Sequence, residues 1–315
     1  MFPVLLDLKI GGRDIALHSY GVLIALGLAA AIALAYRDGR RDGLDGGRIL
    51  DLAFWMVVAG LVGSRLLYVL VNAGDFARVC TEGGGEPRSW GAVFSDCGRV
   101  LAVWEGGLAF YGGLVAATAV AYRFATREGW SFLRVADLFA PALALGHAFG
   151  RLGCFAAGCC FGKESTGHWA FAFPRGSVAF DELSAAGAVP FGAGFTAPLH
   201  PTQLYEAVGE LAIFAVLMAA RGRLGGRRGA VFLLYVALYA PLRFVIEMFR
   251  GDTARRFAFE LQAPRLAAWL HLPAHEPLFL SVGQLSSLVV LAALAVSWGY
   301  RWRQSRVPAP RTPAL

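Results

Sequence analysis

Apolar runs about 20 residues long recur along the whole chain, separated by shorter stretches rich in arginine and glycine. Each run is long enough to cross roughly 30 Å of hydrocarbon as a helix. The pattern predicts an all-α polytopic membrane protein with about seven transmembrane helices. They fall near residues 18–36, 50–72, 103–124, 134–152, 202–220, 229–249 and 282–299. Arginines cluster after the first run (Arg37, Arg40, Arg41, Arg48), between the third and fourth (Arg123, Arg127, Arg134) and between the fifth and sixth (Arg221, Arg223, Arg227, Arg228). They recur after the seventh (Arg301, Arg303, Arg306). If the helices alternate in direction, all of these lie on one face. The positive-inside rule then places the N-terminus outside and the C-terminus in the cytoplasm.

The other face carries the longer connections, 1–17, 73–102, 153–200 and 251–280. Segment 153–200 sets Phe171, Phe173, Phe180, Phe191 and Phe195 among glycines and prolines, which predicts a small folded extracytoplasmic head rather than a linker. Residues 1–306 are read as a single membrane domain that includes this head, and the proline-rich 307–315 as a disordered cytoplasmic tail. No basic n-region or cleavage site opens the chain, so the first span is expected to serve as its own insertion signal.

Composition narrows the class further. Of 315 residues, 57% are hydrophobic and 16% charged, whereas a soluble domain is about a quarter charged. The net charge of +7 comes from loop and tail arginines that set orientation, so the expected partner is the bilayer and not a nucleic acid. Cys80 and Cys97 share one outer segment, where an oxidising compartment permits a disulfide. Cys154, Cys159 and Cys160 are spaced C-x4-C-C, which matches no common zinc pattern and has no paired histidine. Small apolar packing at a tight turn is the expectation there, with no metal centre and no cofactor.

Charge inside or at the edge of apolar runs marks function, because it is costly unless it binds something. Arg65, Glu105, Asp137, Arg151, Glu206, Arg243, Glu247 and Arg250 are all of this kind. Arginine presents a planar fork of donors suited to phosphate, so Arg65, Arg151, Arg243 and Arg250 could clamp a lipid headgroup. Arg243, Glu247 and Arg250 share a helix face, so an internal ion-pair ladder is the alternative. The glycine pairs at 106–107 and 112–113 fit close helix packing, or the close approach of a ligand. His200-Pro-Thr-Gln-Leu-Tyr-Glu206 opens the fifth span, and helix capping explains only part of it.

Six motifs occur in order: His18-Ser-Tyr20-Gly21, the block Gly106-Gly107 to Gly112-Gly113-Leu114, Gly150-Arg151-Leu-Gly153, His200-Pro-Thr-Gln-Leu-Tyr-Glu206, Arg243-Phe-Val-Ile-Glu247-Met-Phe-Arg250, and Gly283-Gln284. Together they resemble the prolipoprotein diacylglyceryl transferase family across roughly residues 15–300. The resemblance implies a seven-helix membrane body with a periplasmic head, in the bacterial inner membrane. It implies transfer of a diacylglyceryl group from phosphatidylglycerol to the lipobox cysteine of a prolipoprotein, which the enzyme meets at the precursor's signal peptide. A thioether forms and glycerol-1-phosphate leaves. Arg151 and Arg243 match the family's essential arginines, and Tyr20, Arg65, Asp137, Glu206, Tyr239, Glu247 and Arg250 fall on positions that its pattern fills.

Two departures stand out. Where the family carries a histidine before the second glycine pair, this chain has Tyr111. The family's Gly-Arg-x-Gly-Asn-Phe-x-Asn-Gly-Glu turn reads Gly-Arg-Leu-Gly-Cys154-Phe-Ala-Ala157-Gly-Cys159. A tyrosine with a pKa near ~10 is a poor base unless nearby arginines lower that value. His147, four residues before Arg151 and on the same helix face, is the other candidate. Two further readings stay open: a paralogue that transfers a lipid-derived group to another acceptor, and a non-catalytic phosphatidylglycerol-binding protein.

Overall fold

The computed structural model describes residues 4–10, 13–74, 76, 98, 101, 107–224, 226–252, 257–273 and 277–305. An antiparallel hairpin of β1 (Val4–Ile10) and β2 (Arg13–His18) leads into α1 (Ser19–Arg41). Then follow α2 (Gly46–Val71), α3 (Phe110–Arg127), α4 (Phe132–Ala157), α5 (Val178–Ala185), α6 (Thr202–Leu224) and α7 (Ala230–Phe249). A second two-stranded sheet pairs β3 (Phe257–Leu261) with β4 (Phe279–Ser281) around α8 (Pro264–Trp269), and α9 (Val282–Ser305) comes last. The protein is thus a largely helical polytopic membrane protein.

Among the described residues, five helices are long and apolar enough to cross a bilayer: α1, α2, α4, α6 and α7. Helices α3 and α9 stand where the third and seventh spans are expected, with α3 beginning at Phe110 rather than near 103. Large apolar side chains such as Phe54, Trp55, Val62, Leu66 and Leu70 on α2, or Val208 and Val216 on α6, are exposed in successive turns. Hydrocarbon, unlike water, suits such a surface. One expectation needs correction. The fourth span, expected near 134–152, is α4 and continues to Ala157, so Arg151 lies inside the helix and Cys154 is helical as well.

The chain divides into two compact units, Met1–Ala33 with Phe139–Leu315, and Leu34–Leu138. In the second, Asp45 caps α2 by accepting the Arg48 N–H at 2.8 Å, and α2 packs on α3 through glycine. A Cβ on Gly113 would lie 2.8 Å from the Gly60 carbonyl oxygen, and one on Gly112 would collide with the Gly63 carbonyl. The 112–113 pair therefore serves helix packing. In the first unit α4, α6 and α7 meet around Ala140, Ala144, Ile213, Leu217 and Val231. The segment after α4 folds around Phe161, Phe173, Ala179 and Leu199, tied by short pairings of Phe171 with Leu199 and Pro174 with Phe195. Of the phenylalanines singled out in the sequence, Phe173 is buried in this core, whereas Phe171, Phe191 and Phe195 are exposed.

Candidate functional site

Helical periodicity assembles the charged residues of the first unit. His147 and Arg151 are one turn apart on α4, Glu206 and Glu210 one turn apart on α6, and Tyr239, Arg243 and Glu247 follow the same step along α7. The α7 helix stops at Phe249, where Arg250 turns to extended backbone (φ −66°, ψ 138°). That turn lets the Arg250 guanidinium fold onto Asp252 two residues later.

Glu206 is the hub. Its Oε2 lies 3.0 Å from Arg151 Nε and 3.4 Å from Arg243 Nη1, and its Oε1 3.6 Å from His147 Nε2. Arg243 Nη2 reaches Glu247 Oε2 at 2.7 Å, and Arg250 Nη1 approaches the same oxygen at 4.0 Å. Arg250 also grips Asp252 with two parallel bonds of 2.8 and 2.5 Å. On the far side of His147, Nδ1 meets Glu210 Oε1 at 2.7 Å, while Nε2 accepts the Arg151 Nε–H at 3.2 Å. These contacts assign the proton to Nδ1 and the lone pair to Nε2. The Tyr239 ring stands 5.6 Å from the imidazole and stacks on Tyr235.

Depth gives the network a direction. Glu206, Glu210, Glu247 and Asp252 are between 0% and 6% exposed, whereas the three arginines keep 14–18% and His147 27%. The carboxylates are the floor and the donors face the accessible side. As a device for stability alone this is a poor arrangement, because buried ion pairs scarcely recover their desolvation cost. As an anion-receiving surface it is well suited, since fixed counter-charges hold the guanidinium forks in place. The ladder expected along α7 is present, and it also positions donors. For Arg250, burial works against the charge, and the Asp252 bonds more than offset it, raising the pKa above its ordinary value.

Above this network three thiols gather. Cys154 follows Arg151 by three residues on α4, and Cys159 and Cys160 come from the turn beyond it. Their Sγ atoms all lie within 4.8 Å of one another. The start of α6 holds the turn: Gln203 Nε2 donates to the Cys159 carbonyl and Thr202 Oγ1 to the Cys160 carbonyl, both at 2.7 Å. Cys160 sits in the left-handed region (φ 56°), a strained position for a residue with a Cβ. Of the turn's two thiols, Cys160 has its pKa pushed down, by hydrogen bonds from Cys154 and Cys159 first and by the Arg151 and Arg250 charges after them. Tyr20, at the start of α1, packs its ring over Gly153. The motif His200–Glu206 therefore does more than cap a helix. His200 is buried against Phe249, with Nδ1 3.1 Å from the Tyr205 hydroxyl, and burial lowers its pKa.

The remaining candidates belong to the other unit or lie outside the described residues. Arg65 is buried on α2, donates to the Gly107 carbonyl at 3.2 Å and lies over the Tyr68 and Phe76 rings. Tyr111 is 62% exposed near the start of α3, edge-on to Phe110, and Asp137 is half-buried on α4. Glu105, Cys80 and Cys97 lie outside the described residues. The sequence reading missed Glu210 and Asp252. Glu210 was signalled by its place one turn after Glu206, and Asp252 by adjacency to Arg250.

A close approach between α9 and α7 guards the network. A Cβ on Gly283 would sit 2.8 Å from Glu247 Cδ and 2.9 Å from its Oε2. Gly283→Ala therefore displaces the carboxylate that holds Arg243, and should cost about 1–3 kcal/mol of stability. Gly21→Ala, where the added methyl meets nothing within 4 Å, should cost nothing. Thermal unfolding in detergent micelles checks the pair, and equal midpoints would exclude a packed Gly283.

Comparison with known proteins gives the family of the chain. The family model described as prolipoprotein diacylglyceryl transferase matches residues 4–300. A phosphatidylglycerol--prolipoprotein diacylglyceryl transferase of Clostridium tetani (strain Massachusetts / E88) is 29% identical over 260 residues, 80% of this chain and 86% of that protein. The protein of that name from Mycobacteroides abscessus is 32% identical over 77% of this chain and 67% of its own length. The one from Nostoc sp. (strain PCC 7120 / SAG 25.82 / UTEX 2576) is 30% identical over 80% and 79% respectively.

Proposed function

Because this chain belongs to the prolipoprotein diacylglyceryl transferase family, we propose that it moves the diacylglyceryl group of phosphatidylglycerol onto the lipobox cysteine of a prolipoprotein. The acceptor thiolate attacks C3 of the diacylglyceryl glycerol and forms a C–S bond. The C–O bond to phosphorus's ester oxygen breaks, its electron pair stays on that oxygen, and glycerol-1-phosphate departs. The observation that carries this reading is the row of guanidiniums whose counter-charges lie beneath them. Negative charge grows on the leaving phosphate in the transition state, and Arg151 and Arg243 are the donors assigned to it. Arg250, held by Asp252, would bind the phosphate or the acceptor backbone beside them, and Tyr20 and Tyr239 flank the substrates.

The thiol must first lose its proton. His147 is the acceptor favoured here over Tyr111: its Nε2 carries the lone pair, and Glu210 at 2.7 Å steadies the imidazolium that forms. His147→Gln should lower kcat by about 10²-fold or more, in the range that loss of a general base produces. Tyr111→Phe should leave it close to the parental rate. A collapse of activity in Tyr111→Phe with His147→Gln unaffected would reverse the assignment.

The protein is a multi-pass bacterial membrane protein. The arginine bias supports an N-out, C-in orientation in the cytoplasmic membrane, with segment 153–200 as the outer head that meets signal peptides and Arg65, Glu105 and Asp137 serving substrate binding. The direct test is transfer of labelled diacylglyceryl from phosphatidylglycerol to a lipobox peptide by the purified protein, with Arg151→Ala as control. Transfer that the substitution abolishes is the expected result. Phosphatidylglycerol bound without turnover would replace the proposal with a lipid-binding role.

A further inference from the structure

We infer that Cys154, Cys159 and Cys160 form a three-sulfur site for a thiophilic divalent ion of the zinc class, with a fourth coordination position that takes up and activates the acceptor thiol. The inference rests on the transferase reading for the acceptor's identity, but the site itself stands on geometry. Three Sγ atoms lie within 4.8 Å of one another. Tetrahedral zinc with sulfur bonds of about 2.3 Å sets its sulfurs roughly 3.8 Å apart, so little motion is needed to close on an ion.

The protein backbone is arranged to present these sulfurs. Cys160 holds its positive φ although it has a Cβ, and the carbonyls of Cys159 and Cys160 are fixed by the buried side chains of Gln203 and Thr202. The Cys159 N–H closes back on the Cys154 carbonyl at 3.1 Å. Such outer bonds orient ligands at metal centres. Gln203 is 1% exposed, and its Oε1 has no hydrogen-bond partner among the described residues, an expensive state for a buried polar atom unless something arrives there.

Charge and chemistry agree with this. Three thiolates and a divalent ion carry one net negative charge, and Arg151 and Arg250 both interact electrostatically with Cys160. Three protein ligands leave the coordination open, as in catalytic rather than structural zinc sites. A thiol entering that position is deprotonated by the ion. Its proton passes to His147 Nε2 or to solvent, and the metal-held thiolate sulfur supplies the electron pair for the C–S bond. The phosphate oxygen keeps the pair of the broken C–O bond, beside Arg151. This chemistry would also account for a chain that carries Tyr111 where its family carries a histidine.

The experiment uses the reduced full-length protein in detergent micelles, titrated with Co(II). One Co(II) per chain, with sulfur-to-cobalt charge-transfer absorption and tetrahedral ligand-field bands, is expected. Cys154→Ser, Cys159→Ser and Cys160→Ser should each weaken Co(II) binding by more than about 100-fold, beyond the loss typical of an outer-shell partner. A lipobox peptide should strengthen the charge-transfer band, and the same peptide with serine for cysteine should not. Absence of the bands with three titratable thiols overturns the inference, as does a native disulfide among them. Parental transfer rates in Cys159→Ala would overturn thiol activation while leaving the transferase reading intact. A peptide-responsive cobalt spectrum without any transfer would support the site and count against the transferase reading instead.

Discussion

Arg243→Ala should lower kcat/KM for diacylglyceryl transfer about 10³-fold, equivalent to about 4 kcal/mol of transition-state stabilisation. Arg243 is held by carboxylates of two helices, Glu206 of α6 at 3.4 Å and Glu247 of α7 at 2.7 Å. Its fork is thereby set before substrate arrives, which is the condition under which a donor favours the transition state over the ground state. Removing it leaves Glu206 with Arg151 and Glu247 with a 4.0 Å approach from Arg250, so each carboxylate keeps a counter-charge. The loss should therefore appear in kcat more than in folding. Arg243→Lys restores the charge but not the planar fork, and should recover no more than about tenfold of the lost rate. Steady-state transfer with both variants, beside their thermal midpoints, separates the effects. An Arg243→Ala enzyme within tenfold of the parent would remove Arg243 from the phosphate site.

The sequence displayed the membrane body and the main charges clearly, because both depend on short-range patterns. An apolar run of about 20 residues has few alternatives to a spanning helix, and a step of four residues puts His147 with Arg151 and Arg243 with Glu247 on one face wherever the helix lies. Contacts between helices were not legible in that way. That Glu206 serves both Arg151 and Arg243, or that Glu210 meets His147, depends on how α4, α6 and α7 pack around Ala140, Ala144 and Leu217. Small side chains set that spacing and carry no label for their partners. The cysteines show the limit most plainly. The spacing C-x4-C-C does not reveal that the three sulfurs lie close together, because it straddles a helix end, where three residues of α4 and a strained turn set their positions.

Glu206→Ala should destabilise the protein by about 3–5 kcal/mol and stop transfer, the largest combined effect of any single change here. The carboxylate is 1% exposed and faces Arg151, Arg243 and His147 together. Deleting it removes the carboxylate that pairs with Arg151 and leaves Arg243 with Glu247 alone, while Glu210 already faces His147. The cost is that of uncompensated buried charge, which exceeds what the ion pairs contributed when complete. Glu206→Gln keeps the volume and can still accept one N–H, so it should recover part of the stability. It should not recover the rate, because Arg151 and Arg243 then lose the charge that holds both forks in one place. Thermal unfolding in micelles and transfer rates, measured on both variants, decide the matter. Full activity in a destabilised Glu206→Gln would show that Glu206 stabilises the fold without positioning the arginines, and Arg243 and Arg250 would then be positioned by Glu247 and Asp252 alone.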